Sequence, residues 1–347
     1  MCGALQARAA SDQEREEEAP HGREHGTLVA VLTILVIALI VGLLLFALVT
    51  VHARRRTDHA EGPEDASRVS APLIEATLEG VHPVPGPEPR GPPLPVVLVH
   101  GLFGFDRIGV PGARFDYFRG IAKHLASLGC HAHAVKLPMA SSVPTRAKEL
   151  VAAIDALHHE RIDLIAHSLG GLDARYALAH LGLAKRVRSL VTVGTPHRGS
   201  PIADLLHKGP LDWMRRLSST LGMPVEALEW LSTEPLAQFN RDTPDVPGVR
   251  YGCVVGGIRG GTSIPVTLIP AHAYLQKVAG PNDGVVPVSS QFWGQTFAEI
   301  DADHFAQIGW TLGLRSTFDA AGMYAFVVAR LGDAPQGPAW LDRAASP

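Results

Sequence analysis

Ser168 lies in the segment Ile162-Asp-Leu-Ile-Ala-His-Ser-Leu-Gly-Gly171, between an apolar run and the start of a helical pattern. Ala166 stands two residues before it and Gly170 two after it. This is the G-x-S-x-G arrangement with alanine in the first small position. A strand that turns sharply into a helix leaves room only for tiny neighbours, and the serine hydroxyl then projects from the turn. The helix N-terminus beneath it offers backbone N–H groups to any anion that forms there. A serine that merely caps a helix is the alternative, but the flanking strand and helix patterns favour the sharp turn. The chemistry expected of such a serine is nucleophilic attack on an acyl carbon.

A serine hydroxyl becomes a useful nucleophile when a histidine takes its proton and a carboxylate orients that histidine. The chain order expected after this turn is serine, acid, histidine. Of 17 histidines, His304 fits best. It sits in Asp301-Ala-Asp-His-Phe305, just past an expected strand at Phe297–Ile300. Asp283, in Gly280-Pro-Asn-Asp-Gly284, is the preferred acid and is read as lying in a turn after a sheet strand. Asp301 and Asp303 are nearer in sequence but read as loop or solvated residues, because the orienting acid usually comes from a separate strand end. His272 precedes Asp283 and breaks the order. His167 is expected to point away from Ser168, and His167 and His197 both read as packing residues. The developing oxyanion needs preformed donors. The loop His100-Gly-Leu-Phe-Gly104 supplies one candidate, the backbone N–H of Leu102, and the residue after the serine supplies the other, Leu169.

The elements that must position these residues alternate. Val96–His100, Cys130–Val135, Ile162–Ala166, Val187–Val193 and Val249–Val255 read as strands, with helices over Asp116–Leu128, Thr145–His158 and Gly171–Leu181. Near-continuous apolar strands alternating with helices predict an α/β fold, a mostly parallel sheet covered on both faces, with function at the carboxyl ends of the strands. The alternation breaks at about 200–247, where helical spacing appears in Leu211–Leu221 and Val225–Phe239. These pieces are either helices packed on the domain or, as favoured for a large insertion, a lid over the site.

Thr27–Val51 is a run of 25 uncharged residues, about 37 Å as a helix. It is too long for the apolar core of a signal peptide and reads as a single transmembrane helix. The Arg54–Arg56 cluster after it leans the following domain toward the cytoplasm, though a large domain can cross regardless. Residues 1–26 read as a polar, disordered tail, 52–94 as a Pro-rich linker, 95–335 as the catalytic domain and 336–347 as a C-terminal tail. A formal net charge of −3 without a basic stripe gives no sign of a nucleic-acid partner. Cys130 and Cys253 read as buried thiols rather than a disulfide, and the three cysteines fit no metal motif.

His100-Gly-Leu-Phe-Gly-Phe-Asp106, Ala166-His-Ser-Leu-Gly-Gly171, Gly194-Thr-Pro-His-Arg-Gly-Ser200 and Asn282-Asp-Gly-Val-Val-Pro-Val-Ser-Ser290 together resemble successive blocks of bacterial triacylglycerol lipases of the Pseudomonas and Burkholderia type. The likeness spans about 95–330. It implies an α/β-hydrolase fold, a helical lid and ester substrates. Acyltransferase, thioesterase or phospholipase chemistry on the same fold is the first alternative, and a non-catalytic anchored scaffold the second. The family also implies a structural calcium, with one ligand an aspartate two residues after the catalytic histidine. Here that residue is Ala306, and Gln307 and Gln291 offer only amide oxygens, so neither calcium nor another cofactor is expected. The family's disulfide is not recognisable in Cys130 and Cys253.

Overall fold

The computed structural model describes residues 81–83, 94–102, 107–110, 113–139, 141–207, 226–259, 264–310 and 318–331. The expected transmembrane helix, the N-terminal and C-terminal tails and the first lid piece, Leu211–Leu221, lie outside the described residues. Among the described residues no helix is long and apolar enough to cross a membrane.

The strands are β1 (Val81–Pro83), β2 (Val96–Val99), β3 (Arg107–Val110), β4 (Ala113–Asp116), β5 (Ala132–Ala134), β6 (Ile162–His167), β7 (Val187–Val193), β8 (Arg250–Gly257) and β9 (Gln295–Asp301). Seven of them form one sheet in the order β1-β9-β8-β7-β6-β2-β5, parallel throughout except for β1 on β9. The central strands β6, β7 and β8 are buried along their whole length, as mostly apolar strands covered on both faces should be, and the charges of Asp163 and Arg188 within them are paired with each other. Side-chain alternation divides the core. Val96 and Leu98 join Ile165 and Val191 on one face, and Val97 and Val99 join Leu164 and Ala166 on the other.

The helices are α1 (Ile121–Ser127), α2 (Val143–Asp155), α3 (Leu169–His180), α4 (Pro201–His207), α5 (Glu226–Glu229), α6 (Thr233–Asp242), α7 (Ile269–Val278), α8 (Val288–Gln291) and α9 (Ala320–Val328). Residues of α1 and α9 cover the first face and residues of α2 and α3 the second. A smaller apolar cluster joins Ala227 of α5 and Leu236 and Phe239 of α6 to Val143, Leu169 and Leu172, with Leu102 packed against it.

Four expectations change in detail. The helix over Asp116–Leu128 begins only at Ile121: Asp116 ends β4, which pairs antiparallel with β3 in a separate two-stranded sheet, and residues 117–120 form the bend and turn that lead into the helix. The aromatic run Phe115-Asp-Tyr-Phe118 suits extended backbone better than helix. The helix expected from Thr145 begins at Val143, because Pro144 is acceptable in a first turn. The piece over Val225–Phe239 splits into α5 and α6, with Ser232 extended between them. Pro235 lacks an N–H and is tolerated only in a first turn, so the helix must restart just before it. Inside the stretch read as linker, Val81–Pro83 supplies the antiparallel edge strand. Cys130 and Cys253 are buried and unpaired.

Candidate active site

Ser168 follows the last residue of β6 and precedes the first of α3, with φ 55° and ψ −131°. Only one other described non-glycine residue, His158, has a positive φ. Such backbone costs on the order of 1–3 kcal/mol and persists only where its surroundings enforce it. Here the Ser168 N–H donates to Val193 O (2.9 Å), while Ser168 O accepts from Thr195 Oγ1 (2.8 Å) and the Gly171 N–H (3.1 Å). Two glycines make the approach to β2 possible. A Cβ on Gly170 would lie 2.7 Å from the carbonyl oxygens of Val99 and His100, and one on Gly101 would lie 2.7 Å from the Ser168 Cβ.

Ser168 Oγ is 3.0 Å from His304 Nε2, and His304 Nδ1 is 2.8 Å from Asp283 Oδ2. The Asp283 carboxylate is fully buried. Its Oδ1 accepts the N–H groups of Val285 (2.9 Å) and Val286 (2.7 Å), and the His304 N–H donates to Asp283 O (2.9 Å). Asp283 does not directly follow a strand, because α7 lies between it and β8. The Ile258 N–H donates to Asn282 O at 2.9 Å and ties the turn back to the end of β8. The competing acids are engaged elsewhere. Asp301 pairs with Arg259 (3.1 Å), and Asp303 Oδ1 accepts the N–H groups of Phe305 (2.9 Å) and Ala306 (3.0 Å). His272 Nδ1 is 2.8 Å from Asn282 Oδ1, which also accepts the Gly284 N–H at 2.9 Å. His272 therefore supports the turn and does not reach Ser168.

Leu102 lies just past β2 and Leu169 opens α3, where first-turn N–H groups lack intrahelical acceptors. The loop carrying Leu102 is braced from beneath. Buried Arg146 donates to Asp173 Oδ2 (2.8 Å), His100 O (2.8 Å), Gly101 O (3.3 Å) and Pro138 O. His100 accepts the Leu137 N–H at Nε2 (2.9 Å), which leaves its Nδ1–H to donate to Gly101 O (3.0 Å). Burial lowers the His100 pKa to about 4, against a smaller opposing effect of the Gly101 hydrogen bond, so the ring is neutral at pH 7.

The implied calcium does not fit these residues. Ala306 is apolar and buried. Gln291 Oε1 already accepts the Gly256 N–H (2.7 Å), and Gln307 turns its Nε2 donor, at 3.0 Å, toward Asp283 Oδ2. Among the described residues no group of three or more side chains is arranged to hold a metal ion.

His167 is buried, and its ring centroid is 4.6 Å from that of His304. It therefore lies against the base as well as packing in the core. His197 stacks on Trp293 (5.1 Å), and the Arg175 guanidinium carbon lies 3.5 Å from the centroid of that indole while the side chain donates to Asn240 Oδ1 (2.8 Å) and Thr243 O (3.0 Å). This cluster fastens α6 to the sheet. Sequence reasoning missed Arg146, Tyr117 and the donor role of Gln307. Arg146 did leave a signal, since it stands four residues before Leu150 and eight before Ile154 on the buried stripe of α2.

A parallel sheet of this order, with its polar constellation at the carboxyl ends of the strands, defines an α/β-hydrolase. The family model described as alpha/beta hydrolase fold matches residues 95–230. A triacylglycerol lipase of Vibrio cholerae is 28% identical over 263 residues, 65% of this chain and 82% of that protein. A triacylglycerol lipase of Pseudomonas fragi is 32% identical over 182 residues, 46% and 60% of the two chains. The crystal structure of the mature Bacillus licheniformis lipase BlEst2 superposes with a TM-score of 0.53 at 25% identity, covering 66% of this chain and 91% of that one. The chain has the α/β-hydrolase fold and is a lipase-like carboxylic ester hydrolase.

Proposed function

We propose that Ser168, His304 and Asp283 are the nucleophile, base and acid of a lipid-ester hydrolase that passes through an acyl-enzyme. The observation that carries this is the unbroken chain from Ser168 Oγ through His304 to Asp283, with contacts of 3.0 and 2.8 Å. His304 Nε2 takes the hydroxyl proton as Ser168 Oγ attacks the ester carbonyl, and the N–H groups of Leu102 and Leu169 receive the oxyanion. The same proton goes to the departing alcohol. Water then gives its proton to His304 and attacks the acyl carbon, and Ser168 is regenerated as the acid leaves. Asp283 holds the ring through Nδ1 and stabilises the imidazolium.

The insertion at about 200–247 acts as a lid. In support, the apolar cluster of α5 and α6 includes Leu169 and packs against Leu102, so it adjoins both oxyanion donors. The apolar run Thr27–Val51 anchors the domain in a membrane, with the Arg54–Arg56 cluster leaning it to the cytoplasmic side. Acylglycerols fit both the anchor and the names borne by the relatives.

The test uses the full chain in detergent on p-nitrophenyl esters from acetate to palmitate and on an emulsified triacylglycerol. Ser168→Ala should abolish turnover, and rates should favour longer acyl chains. A fully active Ser168→Ala protein would remove the nucleophile assignment, and a preference for acetate would remove the lipid substrate.

A further inference from the structure

Three hydrogen-bond donors surround the one oxygen of Asp283 that faces the base. Besides His304, Asp283 Oδ2 has Gln307 Nε2 at 3.0 Å and Gln291 Nε2 at 3.4 Å. Gln291 is fastened elsewhere, because its Nε2 also donates to Gly256 O (2.9 Å) and Val286 O (3.2 Å) and its Oε1 accepts the Gly256 N–H. Gln307 is therefore the amide committed to the acid. It is fully buried in a slot between two glycines. A Cβ on Gly194 would come within 2.2 Å of Gln307 Oε1, and one on Gly256 within 2.2 Å of its Nε2.

The far end of that amide has its own counterpart. His167 Nε2 and Gln307 Oε1 are both buried and neither is within hydrogen-bonding geometry of a partner among the described residues, while the His304 backbone and the Gln307 side chain both lie near enough to favour a proton on His167. Burial nonetheless keeps the His167 pKa well below its usual value, so the ring carries a single proton. Tyr117 Oη accepts the Gly101 N–H (3.2 Å), which directs its own hydrogen to His167 Nδ1 (2.8 Å). The His167 proton is left on Nε2, facing the unmatched Gln307 oxygen.

We propose that Gln307 is a positioning residue whose amide holds the acid Asp283 in the line of the base, its orientation set by the Asp283 carboxylate at its Nε2 and by the His167 Nε2–H on the side of its Oε1. The proposal rests on the triad reading above. Hydrogen bonds run from the Gly101 N–H to Tyr117 and from Tyr117 to His167 Nδ1, and Gln307 Nε2 donates to Asp283, with the His167 Nε2–H close to the Gln307 side chain between them. A flipped amide would set an oxygen lone pair against the Asp283 carboxylate and an N–H group toward the His167 Nε2–H. The neighbours thus select one orientation.

The test compares wild type, Gln307→Leu and Gln307→Glu as full chains, with active sites counted by a fluorophosphonate. Gln307→Leu should lower kcat about 10- to 100-fold, the rate equivalent of one hydrogen bond to a charged group, with KM little changed. Gln307→Glu keeps the shape but donates only when protonated. Its kcat relative to wild type should therefore be highest in acid and fall at least tenfold as pH rises, a pH signature that a purely space-filling role would not produce. In the wild-type protein, 15N-labelled histidine spectra should show His167 with its proton on Nε2, assigned by the signal's absence in His167→Asn. A ratio independent of pH, wild-type kcat in Gln307→Leu, or a His167 proton on Nδ1 would overturn the proposal. If Ser168→Ala is inactive while the Gln307 variants behave as wild type, this proposal alone fails; an active Ser168→Ala protein fails the triad reading itself.

Discussion

Arg146→Met should be among the most damaging single changes outside the triad. The guanidinium is fully buried against Asp173 Oδ2, the carboxylate's Oδ1 having no hydrogen-bond partner among the described residues, and it also holds the carbonyls of His100, Gly101 and Pro138. Burial already pushes the Asp173 pKa up to about 7 even with Arg146 holding it down. Methionine fills similar space but leaves the carboxyl alone in an apolar site. Breaking a buried pair from one side costs roughly 3–5 kcal/mol, equivalent to a fall in Tm on the order of 10 °C for a domain of this size. Asp173→Leu should cost a comparable amount. The double variant should lose clearly less than the sum, by about 2 kcal/mol or more, because neither charge is then stranded. The assay is urea unfolding of the full chain followed by circular dichroism, run for wild type, both singles and the double. Strictly additive losses, or singles within about 1 kcal/mol of wild type, would refute the reasoning. The folded fraction of Arg146→Met should also lose at least tenfold in kcat. Two carbonyls that aim the Leu102 N–H are released, and one complete oxyanion donor is worth roughly 10²–10³.

Asp283→Asn keeps the volume but removes the ionised acceptor, so kcat should fall about 10³- to 10⁴-fold with KM nearly unchanged. A loss under tenfold in steady-state ester hydrolysis would contradict its role as the orienting acid. His100 should make the protein acid-labile. Its folded pKa of about 4 lies below an unfolded value near 6.5, so between these pH values the unfolded chain alone binds the proton. Its contribution is complete above pH 6.5 and is lost as pH falls toward 4, about 3 kcal/mol in all. His100→Gln should flatten the stability–pH slope in that window by about 1.4 kcal/mol per unit; identical slopes would show that burial of this ring is not linked to acid unfolding. Exhaustive EDTA treatment should leave both Tm and ester turnover unchanged, whereas activity restored by added calcium would show a metal site that these amides do not suggest.

The candidate site residues were legible because local signals mark them. Ser168 has its small neighbours, Leu102 its H-G-x-x-G loop, Asp283 its Asn-Asp-Gly turn, and His304 its place just past the last strand. The central strands were equally plain, since burial on both faces leaves mostly apolar runs even with the paired Asp163 and Arg188 inside them. The hairpin of β3 and β4 and the bend that follows it were missed because Phe115, Tyr117 and Phe118 also satisfy a helical apolar pattern when read alone. The α5–α6 break was hidden because apolar spacing runs through it, although Pro235 marked a restart. Gln307 left no local signal. Its donor role depends on Gly194, Gly256 and Asp283, which are distant in sequence and meet only in the folded sheet.

The two halves of the site are secured by opposite electrostatic means. The oxyanion strand is held by a buried cation, Arg146, whose charge is answered by Asp173 on α3. The acid is held by neutral donors: two backbone N–H groups on one oxygen and glutamine amides on the other. In the proposed mechanism, a lysine or arginine in place of Gln307 would pair with Asp283 and compete with the imidazolium of His304. A carboxylate would repel it. A neutral amide stabilises the charge without a rival counter-ion, so the positive partner of Asp283 in the transition state is His304 itself. The same logic explains why His167, pressed against His304, must remain neutral: a second cation at 4.6 Å would oppose the protonation on which the proposed mechanism depends.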